Sequence, residues 1–218
     1  MKKLQTTMMV LILCAGFAFA QNGVITGMSG TVELMRPGSS VYVPAKVGDQ
    51  VTGNTTISTG FKSSALVKAG SAVITVRPLT KLTFAEISAA AGTETINVNL
   101  QTGRVRVDVN PPAGSRSNTS VRGPSATASV RGTSFTFDTR NITVQKGTVA
   151  FKGKRGGVML VSAGSSSQLK PDDTVTDPII INAVTLLPLP PGGSYTFKRG
   201  RISSSDQFGF IISYPSGP

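Results

Sequence analysis

The 218-residue chain contains no histidine and no tryptophan, and its one cysteine, Cys14, lies near the amino terminus. Without histidine there is no Ser-His or Cys-His nucleophile pair and no imidazole ligand for a metal. Acids are scarce as well, ten Asp and Glu against 22 Lys and Arg. Glycoside cleavage needs two carboxyls facing each other about 5 to 10 Å apart, and the spacing of these ten nominates no such pair. Asp172, Asp173 and Asp177 lack the ligand spacing of a Ca²⁺ loop, and beside Pro171 they read as a solvated turn. Gly123 to Thr133 resembles a phosphate loop only superficially, because it ends in Arg-Gly-Thr and has neither the spacing nor the lysine. So few groups are left for acid or base work that the chain reads as non-enzymatic, with no cofactor and no metal.

Long apolar runs are equally rare. Lys2 and Lys3 precede one from Met8 to Phe19, and Ala18-Phe19-Ala20 places small residues three and one before a break at Gln21. That order is a signal peptide, residues 1–20, cleaved after Ala20. The run is about a dozen residues where a spanning helix needs roughly 20. A lipoprotein anchored through Cys14 is the second choice, since Leu13 is larger than the residue such sites use. Cleavage removes the only cysteine, so the mature chain forms no internal disulfide and offers no thiol. It also removes Lys2 and Lys3, taking the formal charge from +12 to +10. An exported protein of this charge, periplasmic or at the cell surface or secreted, meets anionic glycans, lipid head groups and acidic protein faces rather than nucleic acid. The basic residues are scattered, so a merely solubilising surface is the plain alternative.

What the chain has in abundance is β-branched residues in short alternating runs punctuated by Gly, Pro, Asn and Ser. From Val24 to Val161 this predicts an all-β fold, a solenoid-like roll of short strands or a sandwich. Ile96, Val98 and Leu100, then Gln101-Thr102-Gly103, then Val105, Val107 and Val109 read as a β-hairpin, with Asn97, Asn99, Arg104, Arg106 and Asp108 outward. Arg104 and Arg106 are thereby candidates for a basic contact face. Ser88 to Gly92 is the one patch suggesting a helical turn, and Asn110 to Gly123 reads as an exposed loop. Residues 21–170 form the expected β domain. Residues 171–218 form a Pro/Gly-rich appendage of added strands or a docking arm, with Tyr195, Phe197, Phe208, Phe210 and Tyr214 in two short runs.

Arg131-Gly132-Thr133 followed by Phe135 and Phe137 combines a Gly turn with a strand carrying both rings on one face. Four segments accompany it in order: Gly30-Thr31-Val32-Glu33-Leu34; Val47-Gly48-Asp49-Gln50-Val51 with Ile57-Ser58-Thr59-Gly60 and Ser64-Ala65-Leu66-Val67; Val76 to Phe84 with the Gly103 turn; and Val144 to Val149 with Val161-Ser162-Ala163-Gly164. This set resembles the FecR domain family over roughly residues 23 to 170. The resemblance implies an exported β module that binds protein or glycan. In well-known members the domain lies in the periplasm behind a membrane span, and a cytoplasmic segment regulates a sigma factor. A chain opening on a signal peptide has no place for those parts, so that output is not expected to carry over. Arg131 either caps carbonyls or pairs with Asp138 as a fixture of the fold, or projects as a ligand contact. The expected function is binding of an envelope protein or anionic glycan, with assembly through the apolar stretch from Ile179 to Ile212 as the alternative.

Overall fold

The structure, a computed structural model, describes residues 22–180, and all its regular structure is β. The eighteen strands, numbered in chain order, form two nine-stranded sheets. In spatial order the first holds β18 (Ile179–Ile180), β17 (Ser165–Gln168), β14 (Asn141–Lys146), β13 (Ser134–Asp138), β10 (Arg104–Val109), β7 (Ala72–Val76), β6 (Ser64–Ala69), β1 (Gly23–Ser29) and β4 (Gln50–Val51). The second holds β16 (Val158–Ser162), β15 (Thr148–Gly153), β12 (Ala126–Val130), β11 (Arg116–Arg122), β9 (Thr93–Thr102), β8 (Lys81–Ala90), β5 (Thr55–Thr59), β2 (Val32–Met35) and β3 (Tyr42–Pro44).

Alternation with period two gives each strand one apolar face, and the two sheets bury those faces against each other. Val105, Val107, Phe135, Phe137 and Ile142 come from the first sheet, and Leu82, Phe84, Val149 and Phe151 from the second; all are fully buried. The rings of Phe137 and Phe151 meet edge to face across the sandwich, centroids 6.0 Å apart. Burying each such side chain contributes roughly 1.5–3 kcal/mol.

The chain builds this sandwich by stepping from sheet to sheet, so it advances like a roll while packing like a sandwich. At the steps the backbone needs conformations and partners that strands do not supply. Glycine provides the first at Gly30, Gly103, Gly132, Gly147 and Gly164, all with positive φ. Hydroxyls provide the second. Thr59 Oγ1 donates to the Arg77 carbonyl at 2.6 Å and accepts from the Thr80 amide at 3.0 Å. Thr80 Oγ1 accepts from the Arg104 amide at 2.9 Å and donates to its carbonyl at 3.1 Å.

The segment around Gly103 is therefore a crossing and not the hairpin its pattern predicts. β9 lies in the second sheet and β10 in the first, where β10 pairs antiparallel with β7 and β13. The aliphatic residues point inward either way, so alternation alone does not distinguish two strands side by side from two strands face to face. Because β10 makes a single pass, β11 re-enters the second sheet parallel to β9, the one parallel pairing among the described strands. Up to β9 the crossings at Gly30, Gly60 and Gly103 share one margin; after β10 those at Gly132, Gly147 and Gly164 take the other.

Two further expectations are corrected. Half of the loop expected over Asn110 to Gly123 is occupied by β11, whose inward residues Ser117, Thr119 and Val121 are buried. Small hydroxyl residues on its core face hide the alternation, with Ser117 and Thr119 bonded to each other at 3.3 Å. Ser88 to Gly92 is the end of the ten-residue β8 and a tight turn into β9, with Ala91 and Gly92 both at positive φ, as a type I′ hairpin requires. Packing continues past Lys170: Val175 packs on the core, and β18 pairs with β17. The expected leader, Cys14 and the aromatic runs beyond residue 180 lie outside the described residues.

A Cβ at Gly103 would stand 2.5 Å from Thr80 Cα and 2.7 Å from the Leu79 carbonyl oxygen, and φ there is 89°. Gly114 has a similar φ, 83°, and open space around it. Gly103→Ala should cost more than about 3 kcal/mol and Gly114→Ala only about 1–2 kcal/mol, read as the shift in urea unfolding midpoint.

Candidate functional site

Phe135 and Phe137, on β13, are fully buried and cannot touch a ligand. Arg131, Gly132 and Thr133 form the crossing from β12 to β13. Gly132 has φ 100°, and Thr133 packs so closely on Gly147 that a Cβ there would lie 2.6 Å from Thr133 Cγ2. The Thr133 carbonyl accepts the Val109 amide at 2.8 Å. Arg131 is exposed, and it does not pair with Asp138, which instead accepts from Arg104 and Asn141. Arg131 precedes β13 and Asp138 ends it, so the extended strand holds the two apart.

Arg104 and Arg106 do project from the outer face of the first sheet, yet neither is a free cation. Arg104 pairs with Asp138 at 3.1 Å. Arg106 grips Asp108 through Nε at 2.9 Å and Nη2 at 3.1 Å, and the Ser134 hydroxyl also donates to Asp108. The basic face expected there is charge-compensated by its own strands.

Lys68 and Lys146 of the first sheet are exposed without an ion pair but stand singly, whereas a cluster of such cations lies on the second sheet. β12 pairs with both β11 and β15, so the hairpins β11–β12 and β15–β16 stand side by side. Their turns meet at one margin, where the Lys154 amide donates to the Ser125 carbonyl at 3.0 Å. Register aligns Arg122 with Thr127 and Thr127 with Lys152 across three strands. The result is a cleft of about 500 Å³ lined by Arg122, Ser125, Thr127, Lys152, Lys154 and Val158. The three cations are exposed and none forms an ion pair among the described residues. No carboxylate lines the cleft, and hydroxyls fill the spaces between the cations. Such a site favours carboxylate, sulfate or phosphate groups.

Residues 55–154 match the family model described as FecR protein. That stretch is similar to the FecR domain. The match runs from the start of β5 to just past β15, narrower than the span the residue motifs suggested, and it contains every cation of the cleft. No curated protein matches the chain. Two crystal structures of a candidate anti-sigma factor from Parabacteroides distasonis ATCC 8503 resemble the chain at 17% and 16% identity, with TM-scores of 0.49 and 0.47. Each alignment covers 59% of this chain and 60% of that one, so the chain spans about three-fifths of their length.

Scattered in sequence, the cleft residues gave no signal of their own; only the register of the strands brings them together. Among the described residues no helix is long and apolar enough to cross a membrane, and no cluster of His, Cys, Asp and Glu could hold a metal ion. The one perturbed charge pair of the domain is Arg106 with Asp108. Partial burial alone would raise the Asp108 carboxyl, but the hydrogen bonds from Arg106 and Ser134, with the Arg106 charge, hold it below its ordinary 3.8. The bond to Asp108 in turn raises Arg106. A carboxyl depressed in the folded state stabilises it fully above the unfolded value and loses that contribution as pH falls through the lower folded value. Asp108→Asn should therefore be less stable than the wild type by about 1 kcal/mol at pH 7, and the gap should close in strong acid, in urea titrations across pH.

Proposed function

We propose that the chain is an exported, non-enzymatic binding module that holds an anionic protein or glycan of the bacterial envelope in the cleft formed by Arg122, Lys152 and Lys154. One observation carries this reading. Three cations of the described residues meet carboxylates, Arg36 with Asp49, Arg104 with Asp138 and Arg106 with Asp108, and Arg140 donates to the Leu169 and Lys170 carbonyls. The cleft gathers three with no carboxylate, beside hydroxyls able to complete an anion's hydrogen bonds. Clustered like charges repel one another modestly in water, and an anionic ligand removes that repulsion while gaining charge-assisted hydrogen bonds. The leader-like amino terminus and the FecR resemblance support an envelope setting, and the chemistry of the chain supports binding over catalysis. The scarcity of acids and the absence of histidine leave the cleft with no general base.

The test is recovery of envelope components by the mature protein and by the double variant Lys152→Glu/Lys154→Glu. The wild type should recover acidic components at about 0.1 M salt and release them near 1 M, where screening shortens to about 3 Å. The variant should recover at least about ten-fold less. Equal recovery by the variant, or recovery indifferent to salt, would contradict the proposal.

A further inference from the structure

Resting on the reading of the cleft just given, we infer a narrower partner: an extended peptide segment that adds to the edge strand β16 and delivers acidic residues into the cleft. β16 is the last described strand at one end of the second sheet. Among the described strands it pairs only with β15, leaving the backbone groups of its other side without a strand partner. Sheet edges normally carry protection, through shortness, charge, proline or a bulge. Two other edges here have it: β4 is two residues long, and β3 is three residues ending in Pro44. β16 is five residues, Val-Met-Leu-Val-Ser, with no charge, no proline and no bulge in its pairing. Val158 and Leu160 are 58% and 63% exposed on its outer face. This is a surface suited to receiving a strand.

The cleft says what kind of strand. β16 starts beside the cleft at Val158, whose cross-strand partner is Lys152. Lys154 and Arg155 stand exposed in the turn that leads into it. A guest pairing antiparallel, as nearly all strands of this sheet do, runs from beside Ser162 to beside Val158. Its carboxy-terminal end therefore arrives at Lys152, Lys154 and Arg155. Alternating β-branched residues would pair along β16, and one or two carboxylates after them would meet the cations. Apolar pairing and charge then act at adjoining places, which favours a protein segment over a glycan.

The direct test measures binding to the full chain of a synthetic peptide, acetyl-Val-Thr-Val-Thr-Val-Glu-Glu-amide. Two controls are a twin ending in Gln-Gln and a peptide with both glutamates moved to the amino-terminal end. Oligogalacturonate serves as a glycan probe. The first peptide should bind at least about ten-fold tighter than either control. Leu160→Lys, an exposed change that places a guarding charge on the edge, should weaken it about ten-fold and leave oligogalacturonate unaffected. Peptide binding lost in Lys152→Glu/Lys154→Glu but indifferent to Leu160→Lys would overturn the strand proposal, as would equal binding of the three peptides. Charge-dependent binding of oligogalacturonate alone would overturn it while leaving the cleft reading intact, and binding of neither probe would sink both. Amides of β16 already protected from hydrogen exchange in the unliganded chain would mean the edge is taken by a second copy or other occupant, and would also overturn it.

Discussion

Everything in this fold depends on how the backbone is satisfied where the chain leaves one sheet for the other. A strand interior supplies its own partners, but a crossing exposes amides and carbonyls at the rim of a dry core, where an unpaired group costs about 1–3 kcal/mol. Thr59 and Thr80 answer this with single hydroxyls that both donate and accept across neighbouring turns. Ser63 does the same, accepting the Thr31 amide at 2.8 Å and donating to the Phe61 carbonyl at 3.0 Å. Glycine at the adjoining positions lets these turns approach so closely that a methyl group would collide with the backbone. The crossings thus stack on one another, and the sheets grow from them one step at a time.

The position of the cationic cleft is a consequence of that arrangement. The single pass of β10 moves later crossings to the opposite margin and so brings the turns of β11–β12 and β15–β16 to the margin that crossings occupied before. Turns are freer than crossings to carry charged residues, since they touch no core. Arg122, Lys152 and Lys154 gather there, while Arg104 and Arg106 on the opposite sheet are neutralised by Asp138 and Asp108. The net charge of the chain thus does not place the cluster; the register of β11, β12 and β15 does.

Much of the architecture is legible in the amino-acid sequence because one signal, alternation, is strong. It marks the strands carrying Val32, Ile74, Phe135, Phe137, Val144 and Val149, and it places their side chains in the core. It fails where its physical basis is shared by two structures or is concealed. Ile96 to Val109 alternates identically in a hairpin and in a crossing, because both turn the aliphatic face inward. Ser117 and Thr119 are buried without being apolar, so β11 reads as a loop. Arg131 reads as a partner for Asp138 through proximity in sequence, which an extended strand converts into distance. The cleft was illegible altogether, for Arg122 and Lys152 are 30 residues apart and only the pairing of Thr127 with both joins them.

The crossing at Gly103 is the point on which this account stands, since the parallel pair and the position of the cleft follow from it. Backbone amide and Cα proton contacts measured by NMR on the isotope-labelled chain examine it directly. The account predicts contacts between β9 and β11 in parallel register, Ile96 opposite Thr119 and Val98 opposite Val121, with β10 contacting β7 and β13. Hairpin contacts between β9 and β10, joining Leu100 to Val105 and Val98 to Val107, would contradict it.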